Sequence, residues 1–295
     1  MPDFPKDEWP VTSACNRRWK LAHGRTLELG ATGHIMAIVN VTPDSFSDGG
    51  RHSERDAAVR HALACVAEGA TILDIGGEST RPGAAEVTPA EEQDRVLPVI
   101  EKLAAETDAI LSIDTYRAET ARLSIAAGAH IINDVHGLQR EPEIANVAAR
   151  TAAGLCIMHT GRDRTDRRKD MIEDQEYFLG ESLAIARAAG VDECTIVLDP
   201  GYGFAKSRDE DIELIARAGE LHKLGFPLLV GTSRKRFVGS VIEREKPDER
   251  DIGTAATTVI LRLAGADIFR VHNVAANRDA LKMADAVLAA RRKRS

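Results

Sequence analysis

Eight short apolar runs punctuate the chain, at residues 34–40, 71–75, 109–114, 130–135, 154–159, 195–199, 227–231 and 268–272. They are continuous rather than alternating. A strand with one wet face alternates apolar with polar, so a continuous run marks a strand buried on both faces. A polar or glycine-rich break follows, then a longer Ala-rich amphipathic stretch, clearest at 54–68, 89–105, 117–127 and 210–224. Right-handed helical crossovers between parallel strands put the helices outside. Eight such units therefore predict an α/β fold, a single (β/α)8 barrel over residues 34–292. An open doubly wound sheet is the runner-up; it needs fewer strands or a free edge, and the chain has no Gly-rich dinucleotide turn to support it. Residues 1–33 stand outside the rhythm as a short N-terminal extension, either a hairpin plugging the barrel bottom or a loose arm. The charged stretch 161–170, GRDRTDRRKD, reads as an exposed, mobile loop.

Composition narrows the function classes. A length of 295 residues suits one barrel, and 43% apolar residues with only 4% aromatics imply a core of Ala, Val, Ile and Leu. The formal charge of -7 lacks the basic stripe that nucleic acid requires; Arg291, Arg292, Lys293 and Arg294 read as the solvated end of a helix. No apolar run is long enough to span a membrane, and the opening MPDFPKDEWP lacks the pattern of a secretory signal, so the cytoplasm is expected. Cys15, Cys65, Cys156 and Cys194 are too scattered for a metal or redox pair and read as reduced thiols.

A barrel of this kind keeps its chemistry at the C-terminal ends of its strands. Here the strand ends lead to Asn40, Gly76-Gly77-Glu78, Asp114, Asn133-Asp134, His159, Asp199, Ser233-Arg234-Lys235, and Arg270 with His272. Each alone is unremarkable, because polarity normally begins where a strand ends. Together they ring one mouth. Asp114, Asp199, Asn40 and Asn133 can meet a heterocycle with several N–H donors, such as a 2-amino-4-oxo ring. Lys235, Arg270 and His272 supply positive charge for a phosphate or pyrophosphate near the last strands. The residues alone point to a planar polar heterocycle joined to an anion. The loops 41–50 and 76–83 are longer than a strand–helix link needs and are lid candidates. His159 reads primarily as a core histidine. No zinc-protease, P-loop or nucleophile-elbow motif occurs.

The strings IVNVTPDSFSDGG, DIGGESTRPGA, SIDT, IINDV, LDPGYGFAK, GTSRKRFVG and RVHNV occur in this order. In combination they resemble the dihydropteroate synthases of the pterin-binding barrel family, over roughly residues 34–290. The resemblance implies a transferase of folate biosynthesis that joins 6-hydroxymethyl-7,8-dihydropterin diphosphate to 4-aminobenzoate, releasing dihydropteroate and diphosphate. It implies that Asp114, Asn133, Asp199 and Lys235 hold the pterin, with Met158 lining the pocket and Arg270 stacking on the ring. Asn40, Arg270 and His272 would take the diphosphate, with Asn40 beside Mg2+. Thr80, Arg81, Pro82, Phe204, Ser233 and Lys235 would surround the aminobenzoate. Phe46, Asp48 and Arg81 would close over the reaction, with Asp48, Arg81, Asp114 and Lys235 as the catalytic set. It also implies a homodimer through the late helices, including 254–263. The chain departs from the family pattern after strands four and five, where it reads HGLQRE and Thr160-Gly161-Arg162. Two other readings stay open: a pterin-binding paralogue without activity, and a methyltransferase that uses methyltetrahydrofolate and a corrinoid partner.

Overall fold

The computed structural model describes residues 18–41, 50–79 and 86–293. A short antiparallel hairpin comes first, β1 (Arg18–Lys20) and β2 (Thr26–Glu28). Eight parallel strands follow: β3 (His34–Asn40), β4 (Ile72–Gly76), β5 (Ile110–Asp114), β6 (Ile131–Asp134), β7 (Gly154–Met158), β8 (Ile196–Asp199), β9 (Leu229–Val230) and β10 (Ile268–Val271). Their order in space is β8-β7-β6-β5-β4-β3-β10-β9. A parallel bridge between Leu198 and Leu228 joins the two ends of that series. This is the expected barrel, and the bridge excludes the open sheet.

Helices α1 (Gly50–Glu68), α2 (Pro89–Glu106), α3 (Ala118–Ala126), α4 (Glu143–Thr151), α5 (Met171–Ala188) and α6 (Arg208–Ala216) fill the successive links. Two helices, α7 (Arg236–Ile242) and α8 (Asp251–Leu263), lie between β9 and β10, and α9 (Val274–Arg292) follows the last strand. Local sequence starts several of them. Thr88 and Glu91 form a capping box before α2, with Pro89 at the first helical position, and Ser207 and Glu210 do the same for α6. The helix expected over 210–224 instead ends at Ala216 and continues as a tighter turn, Ala218–Leu224. Arg217 sits at that break with its guanidinium tied to Asp170, Glu213 and Glu220.

Strand periodicity separates two cores. Ile35, Ala37, Val39, Leu73, Ile75, Leu111, Ile113, Leu155, Ile157 and Phe269 pack outward with helix residues such as Val96, Ile100 and Leu183. Their neighbours Met36, Ile72, Ile110, Ile131, Cys156, Val197, Leu229 and Ile268 meet inside the barrel. The hairpin completes this inner cluster from below with Trp19, Leu21, Leu27 and Leu29. The indole N–H of Trp19 donates to the Thr195 carbonyl over 2.6 Å. Of the two alternatives for the segment before the barrel, the plugging hairpin is therefore the one observed for residues 18–28. Cys65 and Cys156 are buried free thiols.

Candidate active site

The inward parity that places Met36, Ile72 and Ile110 in the barrel floor carries on up each strand. It brings Asn40, Asp74, Gly76, Ser112, Asp114, Asn133, Met158, Asp199, Arg270 and His272 to the interior and the mouth, because side chains two apart share a face. Register confirms the level: Asn40 lies beside Gly76, Gly76 beside Asp114, and Asp114 beside Asn133. A bare Gly76 between two strand ends leaves room there, since a Cβ at that position would already touch Asp114.

Arg270 organises the floor. Its Nε donates to Asp74 Oδ2 and its NH2 to Asp114 Oδ2, both over 2.6 Å. The Asn133 amide donates to the same Asp74 oxygen over 3.0 Å. Burial pushes the Arg270 guanidinium down, yet the two carboxylates outweigh it and hold the group above its ordinary value. Asp114 is displaced upward to about 7: burial is the main cause, Arg270 opposes it, and Asp74, Glu92 and Asp134 add to it. Asp199 is raised to about 6 by burial, against the pull of the Gly201 N–H (2.7 Å), Lys235 and Arg270. Lys235 is lowered to about 8, first by burial and then by Arg270, with Asp199 and Asp211 opposing. Three groups thus change charge near neutrality at one mouth, an arrangement typical of functional sites.

Phe204 forms one wall. Lys235 Nζ lies 4.1 Å from its ring centroid and the Arg162 guanidinium 4.7 Å from it, so a cation approaches the ring on each account. Val135 and Met158 pack against Phe204 in a small apolar patch. Two glycines make this loop possible. Gly201 has φ of +65°, and a Cβ there would collide with the His159 carbonyl; Gly203, at φ +73°, lets the Lys235 stem pass 2.9 Å from where a Cβ would stand. At the far arc Ser233 Oγ and His272 Nδ1 are 2.9 Å apart. Asn40 is exposed at the mouth.

Of the residues expected at the site, Asn40, Asp114, Asn133, Met158, Asp199, Phe204, Ser233, Lys235, Arg270 and His272 stand at this one mouth. Phe46, Asp48, Thr80, Arg81 and Pro82 lie outside the described residues. Four members of the ring of strand ends turn away. Asp134 accepts the backbone N–H groups of His136 and Leu138. Arg234 pairs with Asp251, and Glu78 with Arg117. His159 is fully buried and bonds Asp174 and Lys206, both at 3.0 Å, so it is the core histidine expected, though with side-chain partners rather than backbone ones. The 161–170 stretch is not the loose loop expected. Arg164 forks onto Asp174, and Arg167 reaches Glu210. Asp74 is the site residue missed: it lies in the middle of an apolar run rather than at its end. Its place two residues before Gly76, on the inward face, was the available signal.

The sequence matches the family model described as pterin binding enzyme over residues 36–272. A dihydropteroate synthase of Synechocystis is 45% identical, the match covering 90% of this chain and 93% of the relative. A crystal structure of the Xanthomonas albilineans dihydropteroate synthase with 4-aminobenzoic acid superposes with a TM-score of 0.87 at 43% identity, covering 93% of this chain and 99% of that one. The Clostridium difficile dihydropteroate synthase, solved in the presence of pteroic acid, gives 0.85 at 46% identity, with 88% and 98% covered. With its inward carboxylates, its arginine-centred floor and these matches over most of its length, the chain belongs to the family of pterin binding enzymes.

Proposed function

We propose that this chain is a dihydropteroate synthase, which joins 6-hydroxymethyl-7,8-dihydropterin diphosphate to 4-aminobenzoate and releases 7,8-dihydropteroate and diphosphate. The observation that carries the reading is the pair of buried inward carboxylates, Asp114 and Asp199, facing Arg270 and Lys235 at one mouth. A 2-amino-4-oxo ring offers parallel N–H donors that ionised carboxylates accept best. Asp114 and Asp199, with Asn133, hold that ring, Met158 lines its pocket, and the Arg270 guanidinium stacks on its face. Asn40, Arg270 and His272 face the diphosphate. Lys235, Ser233 and Phe204 border the aminobenzoate, together with Thr80, Arg81 and Pro82, and Phe46, Asp48 and Arg81 belong to the covering loops.

In this reading the C–O bond to diphosphate breaks first, and the pterin methylene becomes cationic. Asp114 and Asp199 stabilise that charge because they are already fixed and desolvated. The aniline nitrogen then bonds to the methylene carbon and sheds a proton, held in line by Phe204 and Lys235. Mg2+ fits the donor set in a limited way. Among the described residues no three His, Cys, Asp or Glu side chains could jointly hold a metal, whereas a magnesium ion is commonly held by few protein oxygens plus substrate phosphates and waters. Asn40 at the mouth suits that role. When bound, the ion would neutralise charge on the departing diphosphate.

We place the enzyme in the cytoplasm; among the described residues no helix is long and apolar enough to cross a membrane. The exposed apolar side chains Val241, Ile252 and Ile260 of α7 and α8 support a homodimer through that side. One experiment tests the whole reading: purified protein with dihydropterin diphosphate, labelled aminobenzoate and Mg2+, its mass followed by light scattering. Dihydropteroate and diphosphate in equal amounts from a dimer are expected. Pterin binding without product would indicate the silent paralogue. Indifference to aminobenzoate, with methyl transfer to a corrinoid protein, would indicate the methyltransferase.

A further inference from the structure

We infer that Asp74 is a positioning residue for the pterin site, acting chiefly through Arg270. The inference rests on the proposed function and deepens it. Asp74 stands in the middle of β4, paired on one side with Ile38 of β3 and on the other with Ser112 of β5. Its backbone is therefore fixed by two neighbouring strands, and its side chain is fully buried. Arg270 rises from β10, which is separated from β4 by β3 in the ring. To meet both Asp74 and Asp114 its side chain must lie across the barrel beneath the mouth.

The two contacts divide the guanidinium between them. Nε meets Asp74 Oδ2 and NH2 meets Asp114 Oδ2, each over 2.6 Å. Two bonds to two separate carboxylates fix the plane of a guanidinium, whereas one bond leaves it free to swing about that contact. The plane matters because Arg270 is the group proposed to stack on the face of the heterocycle. Asp74 also orients Asn133, whose amide it accepts on the same oxygen. A single buried carboxylate thus sets two of the pterin-facing side chains without reaching the mouth itself. It has a second consequence for Asp114. Without Asp74, Asp114 would be the principal counter-ion of Arg270; with it, Asp114 has lone pairs left for a ligand. Among the described residues, the second Asp74 oxygen, Oδ1, and the neighbouring Ser112 Oγ are both buried without a hydrogen-bond partner. Fold stability does not explain such a pair, since buried unpaired polar atoms are costly. A carboxylate kept at this position despite that cost is consistent with a role in the site.

The test separates positioning from simple structural support. Asp74→Asn keeps the shape but loses the charge, and D74N should weaken binding of the pterin diphosphate at least tenfold while KM for aminobenzoate stays within twofold. In an Arg270→Met background the same substitution should change pterin affinity less than threefold, the remainder being the share of Asn133. A folded D74N enzyme with wild-type pterin affinity overturns the inference, as does an equal loss in both backgrounds. Should D74N not fold, Asp74→Glu keeps the charge but moves it by one methylene; a folded D74E protein must show the same split, and wild-type pterin affinity in it overturns the inference equally. Wild-type turnover in the same preparation checks the proposed function independently. If the wild type makes dihydropteroate and D74N matches it, only the role of Asp74 falls. If the wild type binds pterin and makes no product, the reaction falls and the binding data still decide the role of Asp74.

Discussion

Asp114, Asp199 and Lys235 are the groups through which the proposed reaction would depend on pH. Burial holds the two carboxyls up at about 7 and about 6, and holds the Lys235 ammonium down at about 8. In the proposed reaction the carboxyls would accept the ring and stabilise its cation only when ionised, and Lys235 would contribute positive charge only when protonated. The kcat/KM for the pterin substrate should therefore be bell-shaped in pH, highest between about 7 and 8. Asp114→Asn should lower kcat by roughly a hundredfold or more, the scale on which a preorganised charge acts. Its residual acid limb should shift downward to that of Asp199, near 6. Turnover close to the wild type, or an unmoved acid limb, would reject the assignment of Asp114. The sign for stability runs the other way. A carboxyl raised from its ordinary ~4 binds its proton more tightly when folded, so between about 4 and 7 the folded chain holds more protons than the unfolded. In that window stability contributed by Asp114 and Asp199 declines as pH rises. The ionised state that the chemistry uses is the one the fold disfavours.

At the scale of elements, the link between β8 and α6 carries Phe204 and is pinned from behind. Lys206 donates to the Gly201 carbonyl over 2.8 Å and to His159 Nδ1 over 3.0 Å. The other ring nitrogen of His159 meets Asp174, which also takes the Arg164 fork and the Arg168 N–H. Burial lowers the Lys206 ammonium to about 7; in its protonated form it donates to Nδ1, and the ring hydrogen then belongs on Nε2, facing Asp174. His159 is lowered to about 4, first by burial and then by Lys206, so it is neutral at physiological pH. Burial pushes Asp174 up, but the bonds from His159, Arg168 and Arg164 outweigh it and hold it well below the usual range. Its contribution to stability is thus full above about pH 4 and lost as pH falls further. Asp174→Asn leaves buried cations without their counter-ion and should cost about 3–5 kcal/mol in urea denaturation at pH 7. The deficit should shrink in acid, and a loss under 1 kcal/mol would show the network to be slack. This network also marks where sequence reading stops. The barrel is legible because its strands are continuous apolar runs, and the mouth because polar residues end those runs one after another along the chain. Asp74 is not, because a carboxylate inside such a run has no local signature until the inward face is known. Nor is the link from His159 to Asp174 and Lys206, since those partners are fixed by how α5 and the β8 loop settle on the barrel. The charged stretch 161–170 looked loose because Arg164 and Arg167 find their acids only in three dimensions.

The whole molecule divides labour between its two ends. The groups proposed for chemistry sit at the C-terminal mouth, and the N-terminal end is closed by the hairpin, where Trp19 is 1% exposed among Leu21, Leu27, Leu29 and the inner floor of the barrel. The seat is close: a Cβ at Gly154, at the start of β7, would run into Leu21 and lie 3.2 Å from the indole of Trp19. Trp19 therefore fills the bottom of the same tube whose top holds Arg270 and Asp114, with the apolar layer of Met36, Ile72 and Ile110 between them. Barrels commonly separate stability from activity in this way, because layers of packed side chains isolate the two faces. Trp19→Ala removes a large buried side chain and the bond to Thr195, and should cost about 3–5 kcal/mol. At temperatures well below unfolding its kcat and both KM values should stay within twofold of the wild type. The pair of measurements is decisive because each half can fail alone. A small stability loss would mean the hairpin is only draped over the barrel, and a shifted pterin KM with intact folding would mean that strain at the bottom reaches the arginine at the mouth.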